Sequence, residues 1–321
     1  MLMDDFTSTQ SRIFRRREII YSEDKDFLGS GGFGVVYRCR LADSRHREAA
    51  VKVLNMPRRL GNTDEGAFLR EANILGRIDC PSIVRFLGLC IDPGHYAIVM
   101  EHVQYGDLEK MLLSTDVLQR IQFSHHRIRI AQEIAKGMNY LHSLQPPIIH
   151  RDLKTANVLV GSGYCCKIID FGLARVRDIS QRTTGSVQGT VAYTAPEVFS
   201  GTVERNKEMK VDVYSYAMIL WQMNEMKQIY AGVSPTVIRV NVLAGQRPLL
   251  SDDSCRQEFR DIIERCWDGQ PDSRLHFREI VTMLDGIMRQ IERSLEGMYS
   301  RSITGSVTQR DLDFDLFVET L

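Results

Sequence analysis

The chain has 321 residues, enough for two lobes with separate cores and more than a single core comfortably takes. Its 41 basic and 41 acidic side chains cancel, which argues against a bulk electrostatic grip on nucleic acid or an anionic membrane surface. Seven cysteines are scattered without zinc-ligand spacing, the first residues do not build a secretory signal, and the longest apolar stretch, around Val213 to Trp221, falls far short of the roughly 20 residues that span a bilayer, so a soluble cytoplasmic protein with reduced thiols and no transmembrane segment is expected.

In chain order, residues 1–20 are polar, carry the basic run Arg15, Arg16, Arg17 and show no hydrophobic period, which predicts a flexible leader. From Phe27 to Val53 the pattern is strand-like, with glycines at one end and the β-branched pair Val35 and Val36 beyond them, so an antiparallel sheet opens the fold. The span from Asp64 to Arg77 carries Phe68, Leu69, Ala72 and Leu75 at helical spacing, and strand character returns at Ile83 to Leu89 and Tyr96 to Met100. After Gly106, Ile128, Ala131, Ile134, Ala135, Met138 and Leu141 recur every three or four residues and predict an amphipathic helix, with further helices at about 211–225, 235–244, 255–267 and 276–293. The expectation is an α+β chain with a strand-rich lobe over 21–103, a mainly helical lobe over 107–290, and a mobile tail over 291–321 in which Asp311, Asp313, Asp315 and Glu319 alternate with apolar residues.

Two features of the first lobe carry chemistry. The run Leu28, Gly29, Ser30, Gly31, Gly32, Phe33, Gly34, Val35, Val36 has the glycine spacing of a dinucleotide-binding turn, and Glu48 stands about 20 residues on. That fold needs a buried parallel strand before the glycines and a helix after them, whereas Lys25 and Asp26 precede and β-branched residues follow; the context is strand, turn, strand. Such a hairpin can lay backbone N–H groups over phosphates, because glycine has no Cβ to hold the backbone away. Beyond it, Ala50, Val51, Lys52 sets an ammonium inside an apolar strand, where it needs a buried anion, and Glu71 on the first helix is the assigned partner; taken alone, Lys52 could equally snorkel to water from an edge strand.

The run His150, Arg151, Asp152, Leu153, Lys154, Thr155, Ala156, Asn157, followed by Asp170, Phe171, Gly172, resembles the catalytic loop and metal-binding motif of eukaryotic-type protein kinases. The resemblance runs from about Tyr21 to Met288 and implies the bilobal kinase fold, with ATP and Mg²⁺ as cofactors and a protein substrate. By that resemblance Asp152 accepts or steers the substrate hydroxyl proton, Lys154 donates to the transferring phosphate, Lys52 is turned toward phosphate oxygens by Glu71, and Asn157 and Asp170 hold magnesium. Adenine is expected between Leu28, Val36 and Ala50 above and Leu159 below, with backbone groups of Glu101 and Val103 beside it and Met100 at its back; Phe171, His150, Leu75 and Phe86 would stack between the lobes. Ala195, Pro196, Glu197 resembles the close of the activation segment, Asp212 the buried anchor of the catalytic loop, and Arg274 the partner of Glu197. Leu275 stands where related kinases often have proline, and Ala49-Ala50-Val51 replaces the commoner Val-Ala-Ile before the lysine.

Lys154 together with Gly189 and Thr190 is similar to the serine/threonine pattern, while Asp212, Val213, Tyr214, Ser215, Tyr216 and Cys266-Trp267 resemble tyrosine kinases; the combination is that of the tyrosine-kinase-like group, most of whose members phosphorylate serine and threonine, with a dual-specificity or tyrosine kinase as the alternative. A pseudokinase scaffold commonly lacks the lysine or one of two aspartates, and Lys52, Asp152 and Asp170 are all present. Between Asp170 and Glu197, Ser180, Thr183, Thr184 and Ser186 lie among Arg175, Arg177 and Arg182, which predicts activation by phosphorylation, with Ser186 or Thr184 favoured and Arg151 as the phosphate's partner.

Overall fold

A computed structural model describes residues 12–31, 34–42, 47–54, 62–114, 124–176, 190–251 and 257–303. Its first lobe is a seven-stranded sheet formed by β1 (Arg12–Phe14), β2 (Ile19–Ile20), β3 (Phe27–Gly31), β4 (Gly34–Leu41), β5 (Glu48–Val53), β6 (Phe86–Asp92) and β7 (His95–Glu101), crossed by helix α1 (Asn62–Leu75). The spatial order is β1-β6-β7-β5-β4-β2, with β3 on β4. Every pairing is antiparallel except β1 on β6, which is parallel and departs from a wholly antiparallel sheet. At Gly34 a Cβ would sit 2.3 Å from the Val53 carbonyl oxygen, so only glycine lets the hairpin turn close against β5.

The predicted leader is corrected from residue 12 onward. Phe14 and Ile19, each 1% exposed, fill a small core with Cys39, Leu41, Ala49, Val51, Cys90, Ala97 and Val99, on the sheet face turned away from the second lobe. Burying two large apolar side chains stabilises by about 3–6 kcal/mol, which offsets part of the cost of ordering the segment, the strand pairings contributing besides. The basic run is used locally: the Arg16 backbone N–H donates to Asp92, and the Arg16 guanidinium lies 4.5 Å from the Tyr21 ring centre.

The second lobe is helical. It contains α2 (Leu108–Leu113), α3 (Ser124–Ser143), α4 (Pro196–Ser200), α5 (Met209–Glu225), α6 (Pro235–Leu243), α7 (Gln257–Cys266) and α8 (Phe277–Ile303), with short pairs β8 (Ile148–Ile149) with β11 (Arg175–Val176) and β9 (Val158–Val160) with β10 (Cys166–Ile168). The stripe Ile128, Ala131, Ile134, Ala135, Met138, Leu141 of α3 is buried against α8, and α5 is covered on all sides from Lys210 to Asn224. A helix with no solvated face lies within the core of its lobe. One apolar core runs from Phe68 and Leu75 of α1 through Phe171 to this lobe, so the two lobes share packing across the cleft.

The expected mobile tail is also corrected in part, because α8 continues to Ile303 and Ile291 packs into the core at 7% exposure. No described helix is long and apolar enough to cross a membrane.

Candidate active site

Lys52 lies on β5, opposite Val36 of β4 and Ile98 of β7, so its side chain shares a sheet face with Val36, Ala50 and Met100. Its Nζ donates to both carboxylate oxygens of Glu71, at 2.7 and 3.0 Å, and to Oδ1 of Asp170 at 3.2 Å. Lys52 is 8% exposed and Glu71 4%. Burial disfavours charge on Lys52, but the Glu71 and Asp170 carboxylates outweigh it and hold the ammonium above its ordinary range. Burial likewise works against the Asp170 carboxylate, and Lys52 overcomes it, keeping Asp170 below the usual value. Burial pushes Glu71 up against the pull of Lys52; two short contacts to the ammonium mark the pair as ionic. The structure therefore brings together a cation from the sheet and an acid from the helical lobe.

Asp170 (φ +66°) and Arg151 (φ +66°) both occupy the left-handed region, an unfavourable backbone state for residues with a Cβ and one that concentrates at functional sites. The segment that begins with His150 and Arg151 is held from below by Asp212, which is fully buried. Its Oδ1 accepts from the Arg151 N–H at 2.8 Å, and its Oδ2 accepts from the His150 N–H at 2.9 Å and meets His142 Nε2 at 2.8 Å. Burial would raise the Asp212 pKa, but His142 and these N–H groups hold it below the ordinary range. The His150 ring takes one tautomer: Nδ1 accepts from the Asp152 N–H, and Nε2 donates to the Ile169 carbonyl at 3.0 Å. That ring lies 5.2 Å from Phe171, centre to centre, while Leu75 is buried in the same core and Phe86 packs partly buried against it.

Around Asp152, Oδ2 accepts from Lys154 Nζ at 2.8 Å and from Asn157 Nδ2 at 3.1 Å, and Lys154 also donates to Thr190 Oγ1 at 2.9 Å. Asn157 Nδ2 donates a second bond to the Asp152 carbonyl at 2.8 Å, which fixes its amide and presents Oδ1 outward. The pairing of Arg274 with Glu197 is bidentate at 2.7 and 2.8 Å, with Arg274 2% exposed.

The expected adenine slot is partly assembled. Ala50 faces Met100 across β5 and β7, and Leu159 of β9 bridges to Asp107 just after the link between the lobes. The Glu101 N–H donates to the Arg85 carbonyl, and Leu28 is 41% exposed at the rim. Gly29, Ser30, Gly31 and Gly34 lie on the β3–β4 hairpin, whereas Gly32 and Phe33 fall outside the described residues. So do Ser180, Thr183, Thr184 and Ser186.

Some contributors escaped sequence reasoning. His142 reads in sequence as one more polar residue of a helix, yet it braces Asp212. The Glu101 side chain meets Lys167 Nζ at 2.8 Å, a tie from the end of the sheet to β10 that spacing alone does not signal.

The family model described as "Protein tyrosine and serine/threonine kinase" matches residues 23–284. Among curated relatives, the serine/threonine-protein kinase CTR1 of Arabidopsis thaliana is 33% identical over 265 residues, 83% of this chain and 31% of that protein. The dual specificity protein kinase shkC of Dictyostelium discoideum is 32% identical over 314 residues, 96% of this chain and 59% of that protein. The receptor-interacting serine/threonine-protein kinase 2 of Bos taurus is 34% identical over 281 residues, 84% of this chain and 52% of that protein. The chain thus spans less than two thirds of the length of each of these relatives. With Lys52 bonded to Asp170, Asn157 bonded to Asp152 and the family model covering most of its length, the chain belongs to the protein kinase family, in its tyrosine-kinase-like group.

Proposed function

We propose that this protein transfers the γ-phosphoryl group of Mg²⁺-bound ATP to serine or threonine hydroxyls of protein substrates. The observation that carries the reading is Lys52 Nζ held between Glu71 and Asp170, which sets one positive charge at the mouth of the cleft where phosphate oxygens would lie. The donor set suits magnesium. Asp170 binds Lys52 and the Gly172 N–H through Oδ1, leaving Oδ2 for a hard cation, and Asn157 presents an amide oxygen. Magnesium, when bound, neutralises charge on the triphosphate oxygens.

The remaining work falls to residues of this chain. Asp152 has Oδ2 occupied by Lys154 and Asn157, so Oδ1 is the atom placed to accept the proton of the acceptor hydroxyl. As the oxygen of the acceptor hydroxyl bonds to the γ-phosphorus and the bond to the ADP oxygen breaks, Lys154 supplies positive charge beside the equatorial oxygens. Thr190, bonded to Lys154, borders the acceptor side, an arrangement that supports serine and threonine over tyrosine. The test is purified protein with labelled ATP, magnesium and a library of serine, threonine and tyrosine peptides, beside an Asp152→Asn control. Label on serine and threonine peptides that disappears in the control supports the reading. Label confined to tyrosine peptides overturns the acceptor assignment, and no transfer by the wild type overturns the activity.

A further inference from the structure

Beneath the acceptor side, away from the Lys52–Glu71–Asp170 cluster, three buried side chains from three separate segments meet. Thr155 of the catalytic loop is 0% exposed, Tyr193 of the segment before α4 is 6%, and Gln222 of α5 is 1%. The Thr155 and Tyr193 hydroxyl oxygens are 2.8 Å apart, and they lie 2.9 and 2.6 Å from the side-chain oxygen of Gln222. Two hydroxyl protons cannot fill three oxygen–oxygen contacts, and with the amide turned this way Gln222 Nε2 is buried without an acceptor. Turned end for end, the amide can donate to both hydroxyls while one hydroxyl donates to the other, which gives each contact a proton and leaves the amide oxygen, in place of Nε2, as the buried atom without a partner.

The flanking bonds show what the cluster ties together. Thr155 stands next to Lys154, which bonds Asp152 and Thr190, and two residues before Asn157, which bonds Asp152. Tyr193 closes a turn on Thr190, its N–H donating to the Thr190 carbonyl at 2.9 Å, and its own carbonyl accepts from Ser215 of α5 at 2.9 Å. The proton-accepting loop and the acceptor platform are therefore both pinned to one fully buried helix through a single polar knot.

We propose that Thr155, Tyr193 and Gln222 act as one positioning unit that sets the distance between Asp152 and the acceptor peptide, without contacting nucleotide. Buried polar knots of this kind act as units, because removing one member leaves the others unsatisfied. The inference rests on the kinase reading, and wild-type turnover in the same assay reports on that reading separately.

The experiment compares wild type with Thr155→Val, Thr155→Ser, Tyr193→Phe and the Thr155→Val/Tyr193→Phe double variant, measuring kcat and KM for peptide and for ATP together with the melting temperature. Thr155→Val and Tyr193→Phe are each expected to lower kcat/KM for peptide about tenfold while KM for ATP stays within about twofold. Thr155→Ser, which keeps the hydroxyl, should restore most of the peptide activity. The double variant should lose about as much as one single change, since one knot is broken once. Multiplying losses in the double variant, a Thr155→Ser protein as impaired as Thr155→Val, equal rises in both KM values, or a Thr155→Val protein with wild-type peptide kinetics would each overturn the proposal.

Discussion

Replacing Asp212 by asparagine keeps the side chain's shape and removes its charge. The carboxylate is fully buried and receives three donors, two on Oδ2 and one on Oδ1. Asparagine offers one acceptor oxygen, so whichever way its amide is turned, an NH₂ group faces a backbone N–H that cannot reverse. The less costly orientation keeps His150 and His142 and abandons the Arg151 N–H, a buried donor whose loss costs ~1–3 kcal/mol. The two surviving bonds weaken from charged to neutral, and relief of the buried charge offsets part of this. A net loss of about 2–3 kcal/mol lowers the melting temperature by about 3–5 °C in a chain of this size. Catalysis suffers more than stability does. Arg151 is the residue before Asp152, and a displacement of about 1 Å at the reacting groups costs about 10²-fold in rate. Thermal denaturation and steady-state phosphotransfer measure both, with KM for ATP expected near wild type because Lys52 is untouched. An Asp212→Asn protein that melts within about 1 °C of wild type and keeps its kcat within about twofold would refute the anchoring argument.

Arg274→Met leaves Glu197 buried without its bidentate partner and should destabilise by about 3–5 kcal/mol in chemical denaturation, whereas breaking the surface pair Lys110–Asp107 with Lys110→Met, which leaves Asp107 as the helix cap, should cost under about 1 kcal/mol. Gly88→Ala would place a Cβ 2.0 Å from the Arg12 carbonyl oxygen, so strand β1 should detach and hydrogen exchange of residues 12–20 should speed up markedly; unchanged protection there would contradict the docking of this segment. His95 and His276 are both pushed below the ordinary value of 6.5, chiefly by burial. The unfolded chain then takes up protons first, so their contribution to stability is present above about pH 6.5 and is lost as pH falls through the lowered values. Asp170 and Asp212, both held below 3.8, add a second loss only at lower pH. Denaturation midpoints that fall between pH 7 and 5 and flatten in a His95→Gln/His276→Gln protein are expected, and a flat wild-type profile would count against the assignment.

The sequence made legible whatever rests on local period or on motif order. The α3 stripe from Ile128 to Leu141 announces its buried face at helical spacing, and Lys52 in an apolar strand asks for a carboxylate that Glu71 provides at 2.7 Å. The segment over residues 12–20 was illegible because its apolar anchors, Phe14 and Ile19, are five residues apart amid four arginines and fit neither a helical nor a strand period. What orders them is long-range pairing that leaves no local mark, parallel with β6 for Phe14 and antiparallel with β4 for Ile19. The extension of α8 to Ile303 was hidden for the opposite reason: its residues turn polar, yet none is a proline that would stop a helix. Thr155, Tyr193 and Gln222 each look ordinary in sequence, and only the chain's path brings three such distant polar groups within 3 Å of one another.

The most direct test of the central claim is a crystal structure of the protein with magnesium and a non-hydrolysable ATP analogue. The account predicts a single nucleotide in the cleft, with Lys52 Nζ within hydrogen-bond distance of its phosphate oxygens and with Asp170 and Asn157 on the metal. A nucleotide bound elsewhere, or one seated in the cleft with its phosphates turned away from both Lys52 and Asp170, would contradict it.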